Sequence, residues 1–377
     1  MIIKRTAVKV KQGSLDLYAT SLKVSDLMIN DFYQVDKLDS NNDSSGYQRL
    51  LDKTRAKRLA DYINEASKDG DAFLPTSILI ATDKSITYDV VNKEIIIDTD
   101  LICPFNVVDG QHRVEGLKEA AIINPEIRDF EVITNIAVNL DEISQMCHFL
   151  IVNTTQKPVD RSVEQQIIAR LTSMVDIEDV PTLPKWIQKQ VLKGEDKEAL
   201  IIANYLNSEK DSPWYGKILM ANEARDEANT INQKSFVQSV KMYILSASNP
   251  LSAFTDIDKR NKILKNYWKA IAELLIDNQS NESSVVFKTI GLELFNIVST
   301  TVFSKLAIEN DFRVEKIKEI INHGLQNLPN DYLSVQHADW WKSGGGASGI
   351  NKAAVRHIAA ELNKAMYSQV KNDEIKL

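Results

Sequence analysis

The chain has 377 residues, 44% of them hydrophobic and 26% charged, with a formal net charge of −7; this is the balance of a folded globular protein long enough for one large or two medium domains. Residues 1–158 carry 18 basic and 24 acidic groups and residues 159–377 carry 27 and 28, so neither half is the basic domain that holds duplex DNA through phosphate contacts alone. The two cysteines, Cys103 and Cys147, have no CxxC or Cys/His spacing, which argues against a disulfide framework or a zinc site and for reduced thiols in the cytosol; no stretch reads as a membrane span and the N-terminus has no signal-peptide core.

Residues 1–35 alternate weakly, through Leu15, Leu17, Tyr18, Leu22, Val24 and Leu27, and predict one or two strands and a short turn. The run 36–46, rich in Asp, Asn and Ser, predicts a loop. A helix follows, strongest from Thr54, with an apolar stripe of Leu51, Leu59, Tyr62 and Ile63. Arg49, Lys53 and Lys57 recur at four-residue spacing, which puts three cations on one face; for the lysines the plain reading is a solvated face. The β-branched run 73–81 predicts a buried strand, and 86–91 and 94–97 predict two short strands about Asn92-Lys93.

The stretch FNVVDGQHRVEGLKEAA, residues 105–121, organises the rest. Phe105 to Val108 read as a short buried strand, Asp109-Gly110 as an abrupt turn, and Val114, Leu117, Lys118 and Ala121 fall on helical spacing. Asp109 is placed to cap the helix with its carboxylate, and Gly110 allows a positive φ or a close backbone approach. The amides of Gln111, His112 and Arg113 would then face outward at the positive end of the helix dipole, with the two side chains adding donors for phosphate oxygens. A capped surface helix is the plain alternative, but cations at a helix N-terminus oppose the dipole, so a cap alone does not explain them.

Residues 130–140 predict a further strand, and Asp141 to Val152 a helix that carries Cys147 and His148. A lone His among Phe149, Leu150 and Ile151 reads as a packed side chain, with no second ligand nearby for a metal. Asn153 to Pro158 end that helix, where an Asn can take the left-handed conformation, and a new helix starts near Asp160 or Ser162. From there the chain reads as helical, over 161–175, 184–193, 196–207, 234–248, 259–277, 284–307, 313–325 and 351–366, with prolines and loops between and a short strand over 218–221. The Gly-rich run 344–349, between Trp340-Trp341 and Lys352, lacks the Lys-Ser/Thr pair of a phosphate loop. It reads as a flexible loop, or as a contact for nucleic acid through its amides, Trp340, Trp341 and Lys352.

The pentapeptide DGQHR at 109–113 resembles the signature of the DGQHR-domain proteins, which include the DndB-type proteins of DNA phosphorothioation clusters. The strand–turn–helix around it is also similar to the phosphate-binding box of the ParB/sulfiredoxin superfamily. That resemblance implies an α+β chain: a ParB-like mixed α/β domain over 1–160, then a mainly helical domain over 161–377. It implies phosphate or nucleotide contacts from Gln48, Arg49, Gly110, Gln111, His112, Arg113, Asn153, Gln156 and Lys157, although the Asn-Gln-Lys spacing carries one extra residue here. It further implies a nucleoside triphosphate such as ATP with Mg²⁺, no membrane, other DNA-modification proteins as partners, and DNA or a second copy of the chain beside them. The Pro213-Trp214-Tyr215-Gly216 stretch also has a counterpart in that family.

No nucleophile–His–acid set can be argued from the residues. The chemistry left open is phosphoryl transfer or nucleotide hydrolysis, which depends on positioning and charge neutralisation. His112 and the nearest carboxylates, Asp109 and Glu115, are its candidates: either carboxylate could orient water or hold Mg²⁺, and for Asp109 the cap is the more economical role. Three readings stand: a triphosphate-binding and hydrolysing domain of a DNA-modification or defence system, a non-catalytic DNA-binding regulator of the modification operon, and a scaffold for the modification enzymes.

Overall fold

The computed structural model describes residues 1–13, 15–38, 46–48, 50–155, 161–174, 185–277 and 284–367. It divides into two units, Met1–Lys189 and Gln190–Leu377.

The first unit runs β1 (Ile2–Gln12), β2 (Leu15–Lys23), α1 (Val24–Leu27), β3 (Tyr33–Gln34), α2 (Lys53–Lys68), β4 (Ile78–Ala81), β5 (Thr87–Asp89), β6 (Glu94–Asp98), α3 (Thr99–Ile102), β7 (Phe105–Asp109), α4 (Gln111–Ile123), β8 (Glu131–Ala137), α5 (Glu142–Thr155), α6 (Arg161–Met174) and the first half of α7 (Lys185–Lys193). The strands form one eight-stranded sheet in the order β3-β7-β4-β8-β2-β1-β6-β5. It is mixed: β3–β7 and β4–β8 are parallel and the other pairs antiparallel. Alternate residues of the strands, among them Ile78, Ile80, Phe105, Val107, Val132 and Ile136, share one buried cluster with Ala60 and Ile63 of α2 and Val114, Leu117, Ala120 and Ala121 of α4. That is the period-two and period-3.6 patterning expected of a sheet covered by helices.

Several elements differ in detail from their sequence signals. The predicted strand over 73–81 narrows to β4, because Pro75 has no N–H for a ladder. The buried face of α2 is Ala56, Ala60 and Ile63, while Tyr62 is exposed. Small residues are needed there because α4 crosses closely: a Cβ on Gly116 would stand 2.7 Å from the Ala56 carbonyl oxygen. Helix α5 does not stop at Val152 but continues to Thr155. The first unit also extends to Lys189 rather than to 160; Arg170 of α6 donates to the Gly46 carbonyl at 3.0 Å and pairs with Glu142, which ties the helices after 160 to the sheet unit.

The second unit is helical, with α8 (Glu195–Ser208), a two-residue parallel pair β9 (Ile218–Leu219) and β10 (Ile231–Asn232), α9 (Gln233–Ser239), α10 (Ile257–Leu275), α11 (Thr289–Glu309), α12 (Val314–Gln326) and α13 (Lys352–Ala365). The predicted helix over 234–248 is α9 followed by a π-helical turn, Val240–Ile244. Trp214 is wholly buried and meets Phe236, Trp268 and Phe287 edge-on, each with ring centroids 5.0 Å apart, an arrangement favoured by the ring quadrupoles. Helix α11 is, by length and composition, apolar enough to cross a membrane, which corrects the sequence reading. Here Leu292, Leu294, Phe295, Val298, Val302, Phe303 and Leu306 are buried inside the unit; it is the unit's core helix.

Candidate functional site

The edge of the sheet sets the site. Strand β7 pairs with β4 through a register shift between Leu79 and Ile80, beside the Leu79–Asp109 pair. Such an irregularity bends a strand and re-aims the residues at its end. The backbone then turns at Gly110, whose φ of +101° is one that L side chains rarely adopt. Gly110 is itself the residue before the first turn of α4, and its carbonyl accepts the Arg113 and Val114 amides at 2.8 and 3.0 Å.

That geometry overturns the capping role read for Asp109. No side chain caps α4, because Gly110 occupies the capping position. The Asp109 carboxylate instead pairs with the Arg113 guanidinium one turn on. The Arg113 amide is spent on Gly110, so it is not one of the outward N–H groups. Arg113 keeps a buried Nε with no hydrogen-bond partner among the described residues, so its fork is only half used.

His112 is buried, and its Nε2 accepts the Asp52 backbone N–H at 3.0 Å. An accepting Nε2 carries no proton, so the ring in this arrangement is neutral with its N–H on Nδ1. Asp52 in turn caps α2, its carboxylate accepting the Arg55 amide at 3.1 Å. His112 therefore couples the mouth of α4 to the start of α2, a role that its spacing did not reveal.

Gln48 is also buried, and its amide nitrogen donates to both the Val107 and Val108 carbonyls at 2.7 Å. The segment holding it is fixed by the Tyr47 and Gln48 amides, which donate to the Asp36 carbonyl at 2.9 and 2.8 Å. The Tyr47 ring packs on Phe149 at 5.4 Å. From α5, Asn153 donates its amide to the Phe149 carbonyl at 2.8 Å, inside the helix rather than at its end.

These groups surround one cavity of about 330 Å³. Gln48, Asp109, Gly110, Gln111, His112, Arg113 and Asn153 all line it, joined by Arg55. Arg55 was missed because the four-residue spacing drew attention to Arg49, Lys53 and Lys57. Its signal was its place one turn into the helix from the cap Asp52, beside Leu59, which also lines the cavity. Arg49, Gln156 and Lys157 lie outside the described residues.

Glu115 is not among the residues lining this cavity. It belongs to a neighbouring one of about 430 Å³, which shares Gln111 as a wall. There the Tyr33 hydroxyl donates to Glu115 at 2.6 Å and accepts from Lys118 at 2.9 Å. Burial, with the Glu115 carboxylate second, pushes the Tyr33 hydroxyl well above its ordinary range.

No three His, Cys, Asp or Glu residues among those described group as a metal site. His148 is half-buried and burial lowers its pKa. Burial pushes the Cys103 thiol up to about 11 and the Cys147 thiol up to about 12, so both are poor nucleophiles at neutral pH.

No curated protein and no solved structure matches this chain. Residues 5–166, which hold the sheet, the cavity and the DGQHR turn, match the model of the DndB family, DNA-sulfur modification-associated. Over that N-terminal stretch the chain is similar to DndB-type proteins.

Proposed function

We propose that the cavity between β7 and α4 binds the phosphate groups of a nucleoside triphosphate, in a protein that works in the cytosol beside the other proteins of a DNA-sulfur modification system. The observation that carries this reading is the gathering of Arg55, Arg113, Gln111, Asn153 and the Gly110 turn around one cavity at a helix N-terminus. Donors of that kind at the positive end of a helix suit a phosphate. Arg113 is the key contact, because its planar fork can take two phosphate oxygens, whereas a lysine offers a point charge.

Asp109 is the carboxylate at the cavity. It would hold a Mg²⁺ carried in on the phosphates, in the manner usual for that ion; the ion would neutralise phosphate charge, and Arg113 would then be released from Asp109 to the ligand. Binding is what this arrangement supports best. Hydrolysis would have to rest on positioning and charge, since the Nε2 of His112 is committed to Asp52 and Glu115 to Tyr33.

The test is thermal stability with ATP, CTP and GTP, each with Mg²⁺. A triphosphate at a hundred times its dissociation constant adds about 2.7 kcal/mol, and we expect this for at least one of them. Arg113→Ala should weaken binding about tenfold or more, from the loss of a charged hydrogen bond, and Arg113→Lys should fall between the two. Absence of a shift with every nucleotide would sink the reading. The exposed Arg55 at the mouth favours a second reading, a non-catalytic regulator whose cavity grips a DNA phosphate. Salt-dependent operator binding without any nucleotide response would select it.

A further inference from the structure

The second unit holds a cavity that the family description does not reach. It lies among α9, α11 and α13, has a volume of about 240 Å³, and is lined by Lys234, Ser235, Tyr243, Glu293, Lys352 and Arg356 together with Met242 and Leu292. Three cations face one carboxylate there. Residues 159–377 as a whole are close to neutral, with 27 basic and 28 acidic groups, so this excess of positive charge is local.

The placement is set by the fold. Lys352 and Arg356 stand four apart on α13, which puts them on one side of the helix, and Lys234 comes from the first turn of α9. Asn232 and Asn351 cap these two helices, each accepting an amide three residues on, at 2.9 and 3.0 Å. Lys234 and Lys352 make no ion pair with any described residue. Arg356 reaches Glu293 only at 3.9 Å and its side chain is 65% exposed, whereas that of Glu293 is 12% exposed. Glu293 therefore steers the guanidinium without using up its donors. Lysines left unpaired beside a loosely held arginine lose little by accepting an anion, since no existing pair must first be broken.

The chemistry points to one ligand class. Three cations around a space of this size match a phosphate group, whose oxygens can take an arginine fork and two lysine point charges at once. The half-exposed Met242 and the Tyr243 ring offer an apolar edge for the sugar that such a phosphate carries. We propose that this cavity is a second phosphate-binding site, independent of the DGQHR turn, with Lys234, Lys352 and Arg356 as its contacts. The phosphate has two chemical sources, a nucleic-acid strand or a free phosphorylated small molecule.

The test uses the full chain carrying Arg113→Ala, which disables the first cavity. In that background, Lys234→Gln with Lys352→Gln is compared with the unaltered lysines, against a fluorescent DNA duplex by anisotropy and against pyrophosphate by calorimetry. Both lysines are exposed, so thermal midpoints should match. We expect affinity for one ligand to fall on the order of tenfold or more, and Lys352→Arg to retain it. Loss confined to the duplex, with a shallower salt dependence, identifies a strand as the source. Loss confined to pyrophosphate identifies a small molecule. If both affinities are unchanged, or if the unaltered lysines support no binding, the proposal is wrong, and the DGQHR reading is unaffected either way.

Discussion

Gly110 and Gly346 both stand in polar turns that lead towards a helix with a cation near its start, Arg113 in α4 and Lys352 in α13. At Gly110 the nearest atoms to an added Cβ are the end of the Arg113 side chain, at 3.1 and 3.2 Å, and Ile78. The turn opens on a cavity. At Gly346 an added Cβ would run into the Trp340 indole. Trp340 packs on Trp341 at 4.7 Å, and Trp341 is wholly buried with its ring nitrogen donating to the Val335 carbonyl at 2.8 Å.

The Gly-rich run thus ends in a short 3₁₀ turn (Gly346–Gly349) seated on tryptophan, in place of the flexible loop read for it. Of the residues named for a nucleic-acid contact, Trp341 is core, and Lys352 lines the cavity of the second unit. The lesson is that glycine before a helix marks a close approach, and the partner in that approach decides whether it is a site or a seam.

The comparison breaks most readily at the tryptophan seam. Trp341→Ala should cost about 3–5 kcal/mol, the usual range for emptying a buried aromatic position. Denaturant unfolding measures it, and a loss within error of zero would mean that the seam is not core. Gly116→Ala comes next. Its methyl would press on the Ala56 carbonyl and on Leu59, and overpacking of this kind costs about 1–3 kcal/mol. Because the two crossing helices carry Arg55 and Arg113, nucleotide affinity should fall with stability; an unaffected affinity would uncouple the crossing from the cavity.

His112 gives a sharper test of the same corner. His112→Ala leaves the Asp52 N–H without its acceptor, at a cost of about 1–3 kcal/mol. His112→Gln, which still offers an acceptor oxygen, should recover part of it. Equal losses by thermal unfolding would remove the helix-coupling role. The smallest effect is expected at Gly344, where φ is +83° and an added Cβ meets nothing within 4 Å. Gly344→Ala there isolates backbone strain, about 1–2 kcal/mol, and should be milder than Gly346→Ala. A reversed order would show that conformation, and not the indole, holds the turn.

Much of the fold was legible because its signals are local. The strand at 105–109, the helix after Gly110 and most of the later helices follow from apolar periodicity and from punctuation by Gly, Pro and Asn. Asp109 was misread because capping and pairing with Arg113 are both open to an Asp before such a helix. The choice depended on Gly110 taking the capping position itself, a matter of φ and not of residue type. Arg55 was missed and the lysines over-weighted because charge spacing says which cations share a face, not which face looks into a cavity.

By itself, then, the sequence determined the strand–turn–helix at DGQHR, the mainly helical character of the chain after residue 160, and the need for glycine at 110, since these depend on residues within a turn of one another. Only the tertiary structure decided that α2 lies close enough on Gly116 for His112 to take the Asp52 amide, that Glu115 serves Tyr33 in a separate cavity, and that α11 is buried inside the second unit. Those outcomes join residues tens of positions apart, and which atoms meet across such distances is set by how helices and sheet pack, a quantity that no local pattern of residues contains.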